Sequence, residues 1–436
     1  MWEQKAIRLF LTLIYFTSMS EIFAQDTADY YGKNFLRYAD FVYQKNIKTV
    51  QLVPSGFDFS SPIIRLNTDD KLRLSFDDLD GDVKDYSYTL VHCNADWTPS
   101  NLLYSQFVNG LPDDRITDYT FSFNTLQRFT HFRLQFPQNS LLPFISGNYL
   151  LKIFQDGDPN NLVLTKRFMI VDSKVVIDAA VHRATVIEDR NAKQKIDFSV
   201  FYENYKIDNP FGDAHVVLLQ NDRWDNAIST LQPLFLRNNQ LDYTYETGND
   251  FNGGNEYRTF DTRSLRFLSE RVAKIISDSA RNDIFLHADE SRSYAKYVTE
   301  YDLNGYFAVK TYDGKNDDTE SDYAYVHFSF PYEFQRTDGN FYVFGMMTAN
   351  QCLPESKMKY NSEKKSYEAT LYLKQGYYNY IYVFLPDDTN VPDETVVEGN
   401  HYETENDYTI LFYHRPTASR YDQLVGIKKI NSVKMY

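Results

Sequence analysis

The sequence predicts an all-β chain of tandem β-sandwich domains with very little helix. Three observations carry that expectation. Of the 436 residues 17% are aromatic, 36 of them Tyr and 33 Phe, and such side chains suit half-buried pleated surfaces. Many short segments alternate apolar and polar residues with period two, the pattern of strands with one face in a core. Turn-forming clusters separate these segments along the chain. At roughly 100–200 residues per domain, the length allows two to four domains.

The first residues form a separate element. Lys5 and Arg8 precede an apolar run from Leu9 to Phe16, and small and polar residues lead to Phe23-Ala24-Gln25. This is the anatomy of a secretory signal peptide over 1–24, cleaved after Ala24. The apolar run is far shorter than the roughly 20 residues that span a bilayer. No cysteine follows it, so a lipoprotein anchor is excluded, and no later stretch is long and apolar enough for a transmembrane helix. The mature chain is expected to be soluble and exported.

From Ile47 to Val171, LRLSF places Leu72, Leu74 and Phe76 on one face, and HFRLQF does the same with Phe132, Leu134 and Phe136. GNYLLKIF and KRFMIV are read in the same style. Pro54-Ser55-Gly56, Asp80-Gly81-Asp82 and Asp156-Gly157-Asp158 supply the turns. A first sandwich is expected over 25–172. Within it, DWTPSNLLYSQFVNG predicts a helical turn or two, with Thr98 as cap, Pro99 at the first position and Gly110 as the stop.

Strand text restarts near Asp172 with KIDFSVFY, AHVVLLQ, LDYTYE and EYRTF. SLRFLSERVAKII fits a helix face through Leu265, Leu268, Val272, Ile275 and Ile276, but its all-β surroundings favour strand. A central β domain is expected over 173–330, ending in the clear strand YAYVHFSF. A third sandwich is expected over 331–436, with strands near Phe341–Phe344, Tyr367–Leu373, Tyr377–Phe384 and Tyr408–Tyr413.

The chemistry is sparse. A formal charge of −15 and a pI near 5.0 repel phosphate backbones and anionic lipid heads, so nucleic acid is not expected as a partner. The eight histidines, His92, His131, His182, His215, His287, His327, His401 and His414, stand singly with no metal-pair spacing. His327 is read as a cross-strand packing residue. Cys93 and Cys352 are too few for a disulfide scaffold or a cysteine zinc site and are read as free thiols. No nucleophile elbow, P-loop or dinucleotide fingerprint is present. With 60 acidic residues, the mere presence of paired carboxylates decides nothing about glycoside hydrolysis. No catalytic residue, metal, cofactor or small-molecule substrate is expected.

Two acidic stretches are the residual metal candidates. Tyr312–Tyr323 offers Asp313, Asp317, Asp318, Glu320 and Asp322 as hard oxygen ligands of the kind calcium takes, but misses EF-hand spacing. EGNHYETENDY offers Glu398, Glu403, Glu405 and Asp407. Both are read as solvated turns first. Asp261 and Arg263 could hold a ligand carboxylate, or pair with neighbours on their strand face.

The segment from Phe344 to Phe384 resembles the early-set, immunoglobulin-like β-sandwich modules that bind starch and glycogen in amylases and in an energy-sensing kinase. Such modules stack sugar rings on exposed tryptophans. Here Phe344-Gly345 runs into Met346-Met347-Thr348, no tryptophan lies beyond Trp224, and Tyr378, Tyr380 and Tyr382 alternate along a strand that would bury them in its sheet. A glycan-binding sandwich protein, periplasmic or surface-exposed, is the alternative reading.

A set of segments resembles one family over about Tyr30 to Ile430: YYGKNFLRYADFVYQKNIKTVQL, DWTPSNLL with SGNYLLKIF, GNEYRTFDTRSLRF, the Phe344–Phe384 segment, and EGNHYETENDYTILFYHRPTASRYDQLVGI. It is that of the plug proteins of the Bacteroidota type IX secretion system. The resemblance implies a non-enzymatic periplasmic subunit that occludes the periplasmic mouth of a large outer-membrane β-barrel translocon at rest. Such a subunit leaves when cargo and the outer-membrane shuttle partner engage. It implies no catalytic residues and does not say which residues touch the barrel; exposed loop tips, the two acidic ones included, are the natural contacts.

Overall fold

Alternation in Leu72–Asp78 and Thr130–Phe136 puts Leu72, Leu74, Phe76, Phe132, Leu134 and Phe136 into one core. In the computed structural model, which describes residues 35–433, these two strands form the middle of a sheet ordered Ile47–Pro54, Leu72–Asp78, Thr130–Phe136, Asp118–Phe121. The expected leader, 1–24, lies outside the described residues. The facing sheet contains Leu162–Val171, Gly147–Gln155 and Tyr86–Cys93. Asp156 and Gly157, both at positive φ (60° and 68°), turn the chain between two of its strands, as the Asp-Gly signal predicts.

Overall 44% of the structure is strand and 5% helix. The all-β expectation and its sandwich architecture hold, in seven sheets of two to six strands among the described residues. The helix expected from Thr98 is a single 3-10 turn at Tyr104–Gln106. The Thr98 hydroxyl donates to Asp96 at 2.6 Å, and Pro99 bridges back to Cys93; these local contacts outcompete helix initiation. SLRFLSERVAKII is strand only in part. Strands run over Arg258–Asp261 and Val272–Ser277, with a loop between that leaves Phe267 and Leu268 exposed.

The second sandwich packs Val176–Arg183 and Lys193–Phe201 against a three-stranded sheet ordered Ala214–Gln220, Asp407–His414, Gln423–Asn431. The last hairpin of the chain therefore closes the middle core, where Val216, Leu218, Ile410, Phe412 and Val425 meet. The third sandwich faces a sheet around Gly376–Pro386 with one ordered Val272–Ser277, Asn282–Leu286, Tyr323–Pro331, Ser366–Lys374, Lys359–Asn361. Its core holds Phe260, Phe328, Phe330, Phe341, Tyr380 and Val397 together. The expected border at 330/331 thus cuts through one core, and the expected unit 331–436 contributes to two. We propose instead a middle sandwich split in sequence, 172–255 with 404–433, and a third inserted between the halves.

GNYLLKIF and AHVVLLQ depart from simple alternation. Tyr149, Leu151 and Ile153 enter the first core while Leu150 points the other way; Val216 and Leu218 enter the middle core while Val217 and Leu219 point outward. Leu150, Val217, Leu219, Leu411 and Tyr413 meet in a separate cluster. The two sheets pack face to face, so each is buried on both faces. That explains the continuous apolar runs.

Candidate functional site

The seams between the three sandwiches carry the unusual chemistry. Between the first and middle units, Trp97 and Trp224 meet edge to face at 5.1 Å, and the Arg167 guanidinium lies over both rings. The Tyr413 hydroxyl donates to Asn148 Oδ1 at 2.8 Å across the same seam.

Between the first and third units the contact is polar and buried. Asp77, near the end of Leu72–Asp78, accepts from Lys374 Nζ at 2.6 Å, from the Tyr323 hydroxyl at 2.7 Å and from His131 Nδ1 at 2.6 Å. Lys374 also donates to the Asp318 carbonyl at 2.6 Å and lies 4.0 Å above the Phe129 ring. Burial works to raise the Asp77 carboxyl, but Lys374 and His131 overcome it and hold the group below its ordinary value. Burial pulls the Lys374 ammonium down, with Asp77 opposing. The cluster resembles a catalytic constellation in composition. Asp77 and Lys374 side chains are at most 1% exposed, so no substrate reaches them; the cluster ties two sandwiches together. Beside it, Asp322 of the third unit accepts from the Leu126 and Gln127 amides of the first.

The middle and third units share Arg223, which donates to Glu394 at 2.6 Å and to Asp225 at 2.7 Å, 5.0 Å from the Phe344 ring centre. All three units meet at Asp222. Its carboxylate accepts from Ser61 of the first and Tyr306 of the third, both at 2.5 Å. Asn221 and Asp222 reach this position at φ of 51° and 56°, the left-handed region that Asn and Asp tolerate. A half-open cleft of about 320 Å³ opens beside this junction, with Leu52, Leu219, Trp224, Phe307 and Met346 on its walls.

The Tyr312–Tyr323 carboxylates diverge: Asp313 accepts from the Leu265 amide, Asp317 from Thr311, Glu320 from Lys315, and Asp322 from the first sandwich. In the second stretch Glu398 is buried and receives Arg258 and Arg292, Glu403 faces Arg183, and Asp407 accepts from Asn304 and Asn431. Glu398 is therefore no exposed loop tip. Glu405 accepts from Asn431. No group of three His, Cys, Asp or Glu among the described residues is arranged to hold a metal ion. Asp261 and Arg263 pair with each other through two contacts, at 2.9 and 2.5 Å. His327 stacks on Phe285 at 4.3 Å and contacts Thr370 across the strands. Cys93 and Cys352 are free thiols.

Tyr378, Tyr380 and Tyr382 are buried between the sheets, and the last two donate to Asp289 at 2.6 and 2.7 Å. They form no surface on which a sugar could stack. Sequence reasoning missed Asp77, His131, Lys374 and Asp222. Each reads as an ordinary strand-end or turn residue, and only the 36 tyrosines hinted at polar, hydroxyl-rich seams.

Residues 47–172 match the family described as the type 9 secretion system plug protein 1st domain. Among solved structures, a hypothetical protein from Parabacteroides merdae is 34% identical; the match covers 91% of this chain and 100% of that one, with a TM-score of 0.88. No match was found among curated proteins.

Proposed function

Because the chain belongs to the type 9 secretion system plug protein family, we propose that it is the non-enzymatic subunit that occludes the periplasmic opening of that system's outer-membrane β-barrel translocon at rest. The observation that carries this reading is the bracing of three sandwiches into one body, through the apolar seam at Leu150 and Leu411, the Asp77–Lys374 pair and the Asp222 junction. A stopper for a wide pore has to hold its shape against the pore, and a braced stack of sheets loses little conformational entropy on docking. Buried ion pairs within the seams position rigid units and perform no chemistry. Among the described residues no helix is long and apolar enough to cross a membrane, consistent with a subunit that docks on a barrel.

Release requires a contact that cargo can compete away, which fits an interface of roughly 1,200–2,000 Å² with a polar rim. The experiment is affinity purification of the native translocon. The chain co-purifies with the complex that lacks cargo and shuttle and is depleted from the cargo-loaded one. Its absence from the empty complex would refute the proposal.

A further inference from the structure

One edge of the first sandwich is left open. Asp118–Phe121 is the outermost strand of its sheet, and all four of its residues are exposed. The Ser122 amide donates inward to the Phe129 carbonyl. By strand parity the even residues thus face Thr130–Phe136, and Tyr119 and Phe121 send their N–H and C=O groups outward. The next odd residue, Phe123, uses its outward N–H on the Thr319 carbonyl of the third sandwich. The seam therefore caps one end of the edge, while the two outward pairs before it meet no backbone partner among the described residues.

The side chains repeat the message. Tyr119, Phe121 and Phe123 alternate on one face and are 41%, 52% and 62% exposed, followed by Leu126 at 41%. Natural edges are blunted by shortness, charge, proline or a bulge; Asp118-Tyr119-Thr120-Phe121 is short and carries one charge, at Asp118, but has no lysine, proline or bulge. The edge has an acidic fringe of Asp118 on the strand itself and Asp318 of the third sandwich, and Arg133 on the adjoining strand is already within 3.4 Å of both.

We propose that Asp118–Phe121 is a strand-acceptor edge. Resting on the plug reading above, we assign its occupant as an extended segment of the translocon with apolar side chains at alternate positions and a neutral or basic flank. Among protein partners, an extended main chain is the one whose own amide and carbonyl groups match outward groups spaced two residues apart. The aromatic stripe calls for apolar side chains at the same period, and the acidic fringe selects against an acidic strand. A second copy is disfavoured as occupant, because each copy carries a formal charge of −15 and like-charged bodies repel.

The test measures binding of the full mature chain to purified, cargo-free translocon. Phe121→Pro deletes an outward N–H that no ladder bond uses, and the double variant Tyr119→Ser/Phe121→Ser deletes the aromatic stripe. Each weakens binding by about tenfold or more while the thermal midpoint stays near that of the wild type. A photoreactive phenylalanine analogue at 121 gives an adduct with the translocon, whereas the same group at the exposed Val176 does not. This readout remains valid if the proline variant folds poorly. Wild-type binding with unchanged variants and no adduct at 121 would overturn the edge assignment and leave the plug reading standing. No binding by the wild type would sink the plug reading itself. Concentration-dependent dimerisation that vanishes in the double variant would replace the translocon segment by a second copy and overturn the assignment.

Discussion

Lys374 Nζ lies 2.6 Å from Asp77 Oδ2, with both side chains out of contact with solvent. The two residues belong to different sandwiches, so a charge pair that could have been left in water is placed where the bodies meet. Desolvating two ions costs several kcal/mol each and is offset only by good geometry and further hydrogen bonds. Tyr323, His131 and the Asp318 carbonyl supply those bonds. Apolar packing would join the two sheets in many registers; this pair fits one.

Removing one partner strands the other. Lys374→Met and Asp77→Asn are each expected to destabilise the chain by about 3–5 kcal/mol, read from the shift in denaturant midpoint. The double variant Asp77→Leu/Lys374→Met recovers much of that loss, because no orphan charge remains. Single-variant losses near zero would show that the seam does not depend on the pair.

Asp222→Ala unties the junction of all three units. It leaves the Tyr306 and Ser61 hydroxyls without their acceptor, at a cost of about 1–3 kcal/mol. Amide exchange checks it: protection falls around residues 60–62 and 305–307 and stays unchanged in the core strand Tyr149–Ile153. Uniform loosening across all three sandwiches would contradict a local role for Asp222.

Asp302 gives the account a pH dependence. Burial pushes its carboxyl up to about 7 from an ordinary 3.8, against the amides of Asn304 and Tyr257 that favour the charged form, and Glu256 and Glu405 add to the rise. The folded state holds this proton more tightly than the unfolded one. The contribution is fully present below about pH 4 and is lost as pH climbs towards 7. Asp302→Asn cannot titrate, so the melting temperature of the wild type relative to this variant falls across that window. Parallel melting curves from pH 4 to 7 would refute the shift.

Gly376 is where the chain leaves one sheet of the third sandwich for the other. A Cβ built there would sit 2.3 Å from the Ala308 carbonyl oxygen, so backbone has to move to admit it. Gly376→Ala is expected to cost about 1–3 kcal/mol, measured as a drop in denaturant midpoint. A neutral substitution would mean the two backbones separate freely at this point.

How much of this was legible depends on how far apart the partners lie. HFRLQF is a strand by its own alternation, and Asp156-Gly157 is a turn by its own chemistry, so local physics decides both. GNYLLKIF also reads as strand, but its second buried face exists only because a sheet from the middle sandwich covers it. AHVVLLQ pairs with DYTILFYH from near the end of the chain, and neither segment carries a mark of the other. A border placed by strand rhythm at 330/331 therefore runs through a core that draws on both sides of it. The acidic loop misled for a similar reason: Asp313 and Asp322 look like ligands until backbone amides from remote segments satisfy them. Lys374 closes an aromatic strand and looks like a solvent-facing end until Asp77 is brought over it.

The central claim is that this chain seals a pore by filling it. The direct measurement is uptake of a bulky solute through the outer membrane, in cells with and without the chain, each with and without the translocon. The account predicts that deleting the chain raises uptake only where the translocon is present. Uptake that stays unchanged on deletion, or rises equally without the translocon, would contradict it.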